Sequence, residues 1–500
     1  ASGTASFQSI NGTSAGGQTF TLNAAAASLG NMGNLTRLGA SNVTGTQVVL
    51  NGSSYTATGL TFSGTAAGST LRLTQALTQF DTRPGGGSIT ITPDLIGTAN
   101  GAQSVEFLTG TGLAGATSDG DVSIGNVGSE SIRLGSLSVT GGNFSAATVK
   151  LADDFTSVLS GDQLFSANTL DTLGNVSASV SGSENGPIIA GGSVAVSAGG
   201  SGSGSITAGG PVQLAYTSDV SRDVSSQGSV SLTSTGSVGG SINATGPVAL
   251  TATGPVSSSV TTSGSASITS QSGISSTVNA GGGVDISAGS GDVSGSIKAA
   301  GPVTVLANAG SISSQIVTTG SASVTSGTGS VSSAINAGGA VSVAAPGAVT
   351  STISSGGTIS LQSDTPLDVQ VNGGYVVVDA PGGTIGGVFN EISSNDDGSF
   401  VVNDQPVVGG GKVNPSQIIT DTFIIPAGGS VSSTGEIILP ANLAVGVIAP
   451  ASLTAGAPRP PIIVNTVQRL GELLRQGYTA IIIQIDEGRQ EREREIASAR

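Results

Sequence analysis

The sequence predicts an all-β protein: a right-handed parallel β-helix, or solenoid, with a small C-terminal α/β segment. Three observations predict it. Of 500 residues, 80 are Gly and only 15 Lys/Arg and 30 Asp/Glu are charged, yet 37% are hydrophobic, too apolar for a disordered linker. A Gly-led frame opens at Gly192, Gly210, Gly228, Gly246, Gly264, Gly282, Gly301, Gly320, Gly339 and Gly357, with spacings of 18 or 19 residues. Within each unit the apolar residues fall two and four apart, which is strand alternation and not a helical period.

Residues 192–365 carry the frame most clearly. One column contains Val194, Val212, Val230, Val248, Ala266, Val284, Val303, Ala322, Val341 and Ile359. Two residues on lies Val196, Leu214, Leu232, Leu250, Ile268, Ile286, Val305, Val324, Val343 and Leu361. A second run gives pairs such as Val238/Ile242, Val256/Val260 and Val293/Ile297, with an inward small residue between them (Gly240, Ser258, Gly295). One such coil cannot bury its own apolar face, but stacked coils can. Nine complete units, over 192–356, would rise about 43 Å at ~4.8 Å each. A β-sandwich would need hairpin turns and no fixed columns.

Residues 1–191 read as a divergent part of the same solenoid, with longer coils and most of the Phe residues. Gly30-Asn31-Met32-Gly33, Arg37-Leu38-Gly39 and Val43-Thr44-Gly45 return as Gly125-Asn126-Val127-Gly128, Arg133-Leu134-Gly135 and Val139-Thr140-Gly141. This offset of 95–96 residues is expected to span five coils. Residues 366–456 read as an irregular β continuation or cap. Residues 457–500 hold a Pro-rich linker, a strand–helix–strand unit over 461–485 with its helix at 466–476, and a charged tail. The unit's Ile-rich second strand needs cover on both faces, so 461–485 is expected either to cap the solenoid or to dock on a partner protein.

Composition excludes several chemistries. With no Cys and no His there is no thiolate or imidazole metal site and no Ser–His–Asp or Cys–His arrangement. A net charge of −15 argues against nucleic acid as a partner. No apolar run is long enough for a spanning helix. Cys absence fits passage through an oxidising compartment. The chain begins at Ala1, which reads as a processed product or a fragment.

The Gly-punctuated V-x-L coils, the GN-[MV]-G, RLG and VTG blocks and the Ser/Thr/Ala/Asn surface resemble filamentous haemagglutinin-like bacterial exoproteins. The resemblance covers roughly residues 1–365. It implies an extracellular or cell-surface adhesin on a β-helical shaft, exported through an outer-membrane transporter by two-partner secretion or as an autotransporter passenger. Its implied partners are a host or neighbouring-cell surface or matrix glycans. The family's Asn-Pro-Asn-Gly motif is not matched by Asn414-Pro415-Ser416, and no alternating C-terminal membrane strands are visible.

Few residues are candidates for chemistry, and none is assigned as catalytic, cofactor-binding or metal-binding. Asp119-Gly120-Asp121 and Asn395-Asp396-Asp397-Gly398 have oxygens for a hard cation, but Asx-type turns are the expected reading. Gly281–Ile286 only superficially matches a calcium-binding nonapeptide, having the wrong spacing. Asp153-Asp154 could be half of a glycosidase pair; a solvated turn is expected. Asn243, Asn279 and Asn336 share an outward column without forming a stacked ladder. Arg222 stands in the inward small-residue position between Val220 and Val224. A local bulge that swings it outward is the expected solution; the other is a ligand-binding notch. Two functions remain: a non-catalytic adhesin shaft, and a polysaccharide-acting β-helix enzyme of the lyase or tailspike-hydrolase kind. The enzyme would need clustered carboxylates with Arg or Lys. The 24 acids and eight bases of residues 1–458 read as scattered, with no coil-to-coil cluster, which favours the shaft.

Overall fold

A computed structural model describes residues 3–112, 119–165 and 169–365, and beyond these the strands Leu367–Gly373, Val376–Asp379, Ile385–Asn390, Phe400–Asn403, Ser430–Val431, Ile437–Ile438, Val445–Ile448, Ile462–Ile463 and Ala480–Ile483. The chain is a parallel β-solenoid that divides into two compact units, 1–272 and 273–500.

In the first unit each strand pairs in parallel with a strand one coil further on. The regular coils stack in the expected register: Val194 on Val212, Val212 on Val230, and Val196 on Leu214. Strands such as Val256–Thr262 and Ala266–Ser270 alternate buried and exposed residues from end to end. The earlier coils are longer. Ile89 pairs with Val122 and Val105 with Leu137, 33 and 32 residues later. The offset of 95–96 residues therefore spans just under four coils and not five: four steps carry Ala27 through Val48, Leu71 and Leu95 to Val127, 100 residues on. Larger coils enclose more volume, and aromatic rings fill it. Tyr55 stacks on Phe80 at 5.4 Å and Phe80 on Phe107 at 5.1 Å between ring centroids. The two Gly-Asn blocks fall in different columns, Met32 on Tyr55 and Val127 on Leu95, yet Gly33 and Gly128 both take left-handed φ, +66° and +68°, which disfavours any residue with a Cβ.

The second unit is built on the same plan. Val284, Val303, Ala322, Val341 and Ile359 form one buried column, with Ile286, Val305, Val324, Val343 and Leu361 beside it. Parallel pairing runs on past Thr365. Val376–Asp379 pairs with Ile359–Ser363, Ile385–Asn390 with Leu367–Gly373, and Phe400–Asn403 with Val376–Asp379. Near the C-terminus Ile462–Ile463 and Ala480–Ile483 pair in parallel, as a strand–helix–strand unit requires. The helix expected at 466–476 lies outside the described residues. A strand not foreseen, Val445–Ile448, pairs antiparallel with Ala480–Ile483, so the Ile-rich strand is central in a three-stranded sheet.

One repeating device closes the turns. Where a strand ends in a buried Ser or Thr, its hydroxyl donates to a turn carbonyl of the preceding coil and accepts from the next turn's N–H. Ser234 Oγ donates to Ser218 O at 2.6 Å and accepts from Gly236 N at 3.0 Å. Thr262, Thr318 and Ser355 repeat the pattern. These polar atoms sit at the solenoid wall, where an unmade hydrogen bond is costly.

Candidate functional site

The least expected chemistry lies inside the first unit. The strand Val220–Ser226 alternates inward and outward along its whole length, and Arg222 points inward, 1% exposed. This corrects the expectation of an outward bulge. It also removes the notch, because both terminal guanidinium nitrogens are engaged by the chain's own carboxylate and carbonyls in an enclosed site. Arg222 forms an ion pair with Glu184, both side chains being fully buried. Its Nη2 also donates to the Glu184 carbonyl at 3.0 Å, and its Nη1 reaches Gly186 O at 3.4 Å. The Tyr216 hydroxyl donates to Glu184 Oε2 at 3.0 Å.

Glycines make this possible. Gly202 stacks directly between Glu184 and Val220, and Gly204 beside Arg222. A Cβ on Gly202 would strike the Tyr216 ring, and Gly204 holds φ +102°. Burial pushes the Glu184 carboxyl above its ordinary range, against the pull of the Arg222 charge and of the hydrogen bonds from Tyr216 and Arg222. Burial, with the Glu184 charge, likewise raises the Tyr216 hydroxyl. Gln163 stacks on Glu184 and bonds Ser157 at 2.5 Å. Among the described residues Gln163 Nε2, Glu184 Oε1 and Arg222 Nε have no partner. The cluster is enclosed, so it offers substrates no approach.

On the surface, stacking assembles a group that the sequence read as scattered. Arg133 Nη2 meets Asp171 Oδ2 at 2.6 Å, Lys150 Nζ lies 3.7 Å from the same oxygen, and Lys150 also pairs with Glu130. The expectation of no coil-to-coil cluster is thus corrected. The four residues are 17–41 apart in sequence pairs that straddle coils, except Glu130 and Arg133. Arg133 also donates to the Leu151 and Asp171 carbonyls. Its hydrogen bonds hold the Asp171 carboxyl below the ordinary range.

The other candidates resolve into turns. The Asp119 carboxylate accepts from Thr111 N at 2.9 Å and Gly112 N at 2.8 Å, while Asp121 Oδ1 accepts from Asn143 N at 2.9 Å. Asp154 Oδ1 accepts from Asn175 N at 2.7 Å, and Asp153 and Asp154 are both exposed. The Asp119 bonds close its own loop, and the Asp121 and Asp154 bonds are made between coils. Asn143 continues one such series to Asp162 N, and Asp162 to Ser183 N, each at 2.7 Å. Val284–Ala288 begins within Gly281–Ile286, which is a turn and a strand start. Asn243, Asn279 and Asn336 are exposed and pair with Thr261, Lys298 and Val317. Asn395–Gly398 lies outside the described residues. Among the described residues no three carboxylates are grouped to hold a metal ion.

Glu184 escaped the sequence reading, although a signal existed. Carrying the frame back one unit from Gly202/Ile206 places Glu184 and Ile188 in the columns of Val220 and Val224. A carboxylate there faces the core, two coils from the inward Arg222. The chain matches no family model, no curated protein and no solved structure.

Proposed function

We propose that the chain is a non-catalytic shaft of a bacterial surface or secreted adhesin, a stack of coils that presents or spaces binding surface and does no chemistry. The observation that carries this reading is where the charged side chains go. Asp121, Asp154, Asp162 and Asp219 cap the turns of the next coil, and Arg222 and Glu184 neutralise each other in the core. Carboxylates used as turn caps are spent as acids and bases, and faces of Ser, Thr and Ala suit a spacer. The resemblance to haemagglutinin-like exoproteins supports the extracellular setting and export through an outer-membrane transporter. The test is adhesion: beads coated with the full chain should bind host cells or matrix glycans above uncoated beads and should release no oligosaccharide. Cleavage of a polysaccharide, with no binding, would overturn the proposal.

One observation favours the enzyme as a second reading. Glu130, Arg133, Lys150 and Asp171 bring two carboxylates and two cations together, the composition a polysaccharide-acting site needs. Under that reading Asp171→Asn abolishes cleavage of an acidic polysaccharide; under the shaft reading there is no cleavage to abolish.

A further inference from the structure

We propose that Glu184, Tyr216 and Arg222 form a register key, which forces three successive coils to stack in order and rejects arrangements with a coil left out. The need for a key follows from the regularity of the coils. Val194, Val212, Val230 and Val248 occupy one column, and Val196, Leu214, Leu232 and Leu250 the next. If one 18-residue coil is looped out, the coils on either side still match at every apolar position. The missing coil costs its own packing, but the remainder stacks without mismatch, so such species can be trapped as the chain folds. Apolar columns alone do not distinguish next neighbours from next-but-one neighbours.

The polar cluster does. Ordinary inward side chains touch the adjacent coil; Arg222 reaches past it. Glu184 stacks on Gly202 and Gly202 on Val220, so the ion pair spans two rungs, about 10 Å of rise at ~4.8 Å each. The intervening coil lets the guanidinium through because it presents Gly202 where its neighbours carry Glu184 and Val220, and Gly204 beside Arg222 adds no side chain of its own. Tyr216 fills the space over Gly202 and bonds the same carboxylate. The contact therefore requires one particular coil, with glycine at both positions, between Glu184 and Arg222. With that coil doubled, or with the coil that carries Arg222 looped out, a buried charge loses its partner, which is far costlier than an apolar mismatch. An equally buried apolar set would pack at least as well, so stability alone does not account for the cluster, whereas order of stacking does.

The absence of Cys makes the test direct. Ser203 stacks on Ser221, and Ser221 on Gly239, and a Cβ at Gly239 meets nothing closer than 3.8 Å. Disulfide trapping between Ser203→Cys and Gly239→Cys therefore reports a looped-out coil, and between Ser203→Cys and Ser221→Cys the native order. In the full-length protein with the key intact, only the 203–221 pair should trap. Replacing the key by the residues of its own columns (Glu184→Val, Gly202→Val, Tyr216→Ala, Arg222→Ser) should raise 203–239 trapping at least fivefold after refolding. Trapping confined to 203–221 in that variant overturns the proposal. Should the variant not fold, two insertions decide. A second copy of 192–209 placed after residue 209 separates Glu184 from Arg222, while a second copy of 228–245 placed after 245 does not. Protease should nick the first and spare the second; equal protection of both overturns the proposal.

Discussion

Ile286→Asp is the severest single test of which way the coil side chains point. Ile286 is 2% exposed and stacks on Val305 in a column of aliphatic residues; its neighbour Asp285 is exposed. The substitution removes burial worth roughly 2–3 kcal/mol. The new carboxyl must then shed its charge, and holding an Asp protonated at pH 7 costs about 4 kcal/mol, three pH units above its ordinary value at ~1.4 kcal/mol each. A neutral carboxyl without a partner adds about 1–3 kcal/mol. The sum, roughly 7–10 kcal/mol, is as large as the whole stability of an ordinary domain. Asp285→Ala should stay within about 0.5 kcal/mol. Because a solenoid can open locally, the assay is amide exchange in Val284–Ala288 and Val303–Ala307, alongside guanidinium unfolding. Ile286→Asp should lose protection in both strands. The sign of its pH dependence follows from the raised folded pKa: the penalty is greatest at neutral pH and fades as pH falls toward the carboxylate's ordinary range. Equal midpoints for the two variants, or no relief on acidification, would refute the inward and outward assignment.

Three further outcomes are expected. Gly240 holds φ +101°, and a Cβ there meets the Arg222 carbonyl, so Gly240→Ala should cost about 1–3 kcal/mol, while Gly239→Ala, with open space at its Cβ, should be close to neutral by thermal unfolding. Ser234→Ala strips partners from Ser218 O and Gly236 N and should cost about 1–2 kcal/mol; a change no larger than that of exposed Ser231→Ala would show the hydroxyl cap to be incidental. Asp171 is held below its ordinary 3.8 by Arg133, so its contribution is present above that pH and is lost as pH falls through the lower, folded value; Asp171→Asn should flatten the acid limb of the stability profile, and an unchanged acid limb would refute the role assigned to the pair.

Everything that repeats in this chain was legible before any coordinates. Alternation of Val230 and Leu232 with exposed Ser231 and Thr233 is local, and an 18-residue frame copies it from coil to coil, so inward columns and parallel register could be read without coordinates. Only the tertiary structure decided what crosses coils at unequal spacing. The five-coil estimate fell to just under four because the early coils lengthen to 32 and 33 residues, and nothing in a repeat block states how much chain lies between its copies. Arg133, Lys150 and Asp171 met for the same reason: each lies on a different coil, and stacking brings them side by side. Arg222 was visible as an inward cation, but its fate depended on Glu184, 38 residues earlier, and on two glycines that open a path between them. Burying a charge is prohibitive without a partner and feasible with one; in a solenoid that partner is set by the order of stacking, which no single coil of the sequence contains.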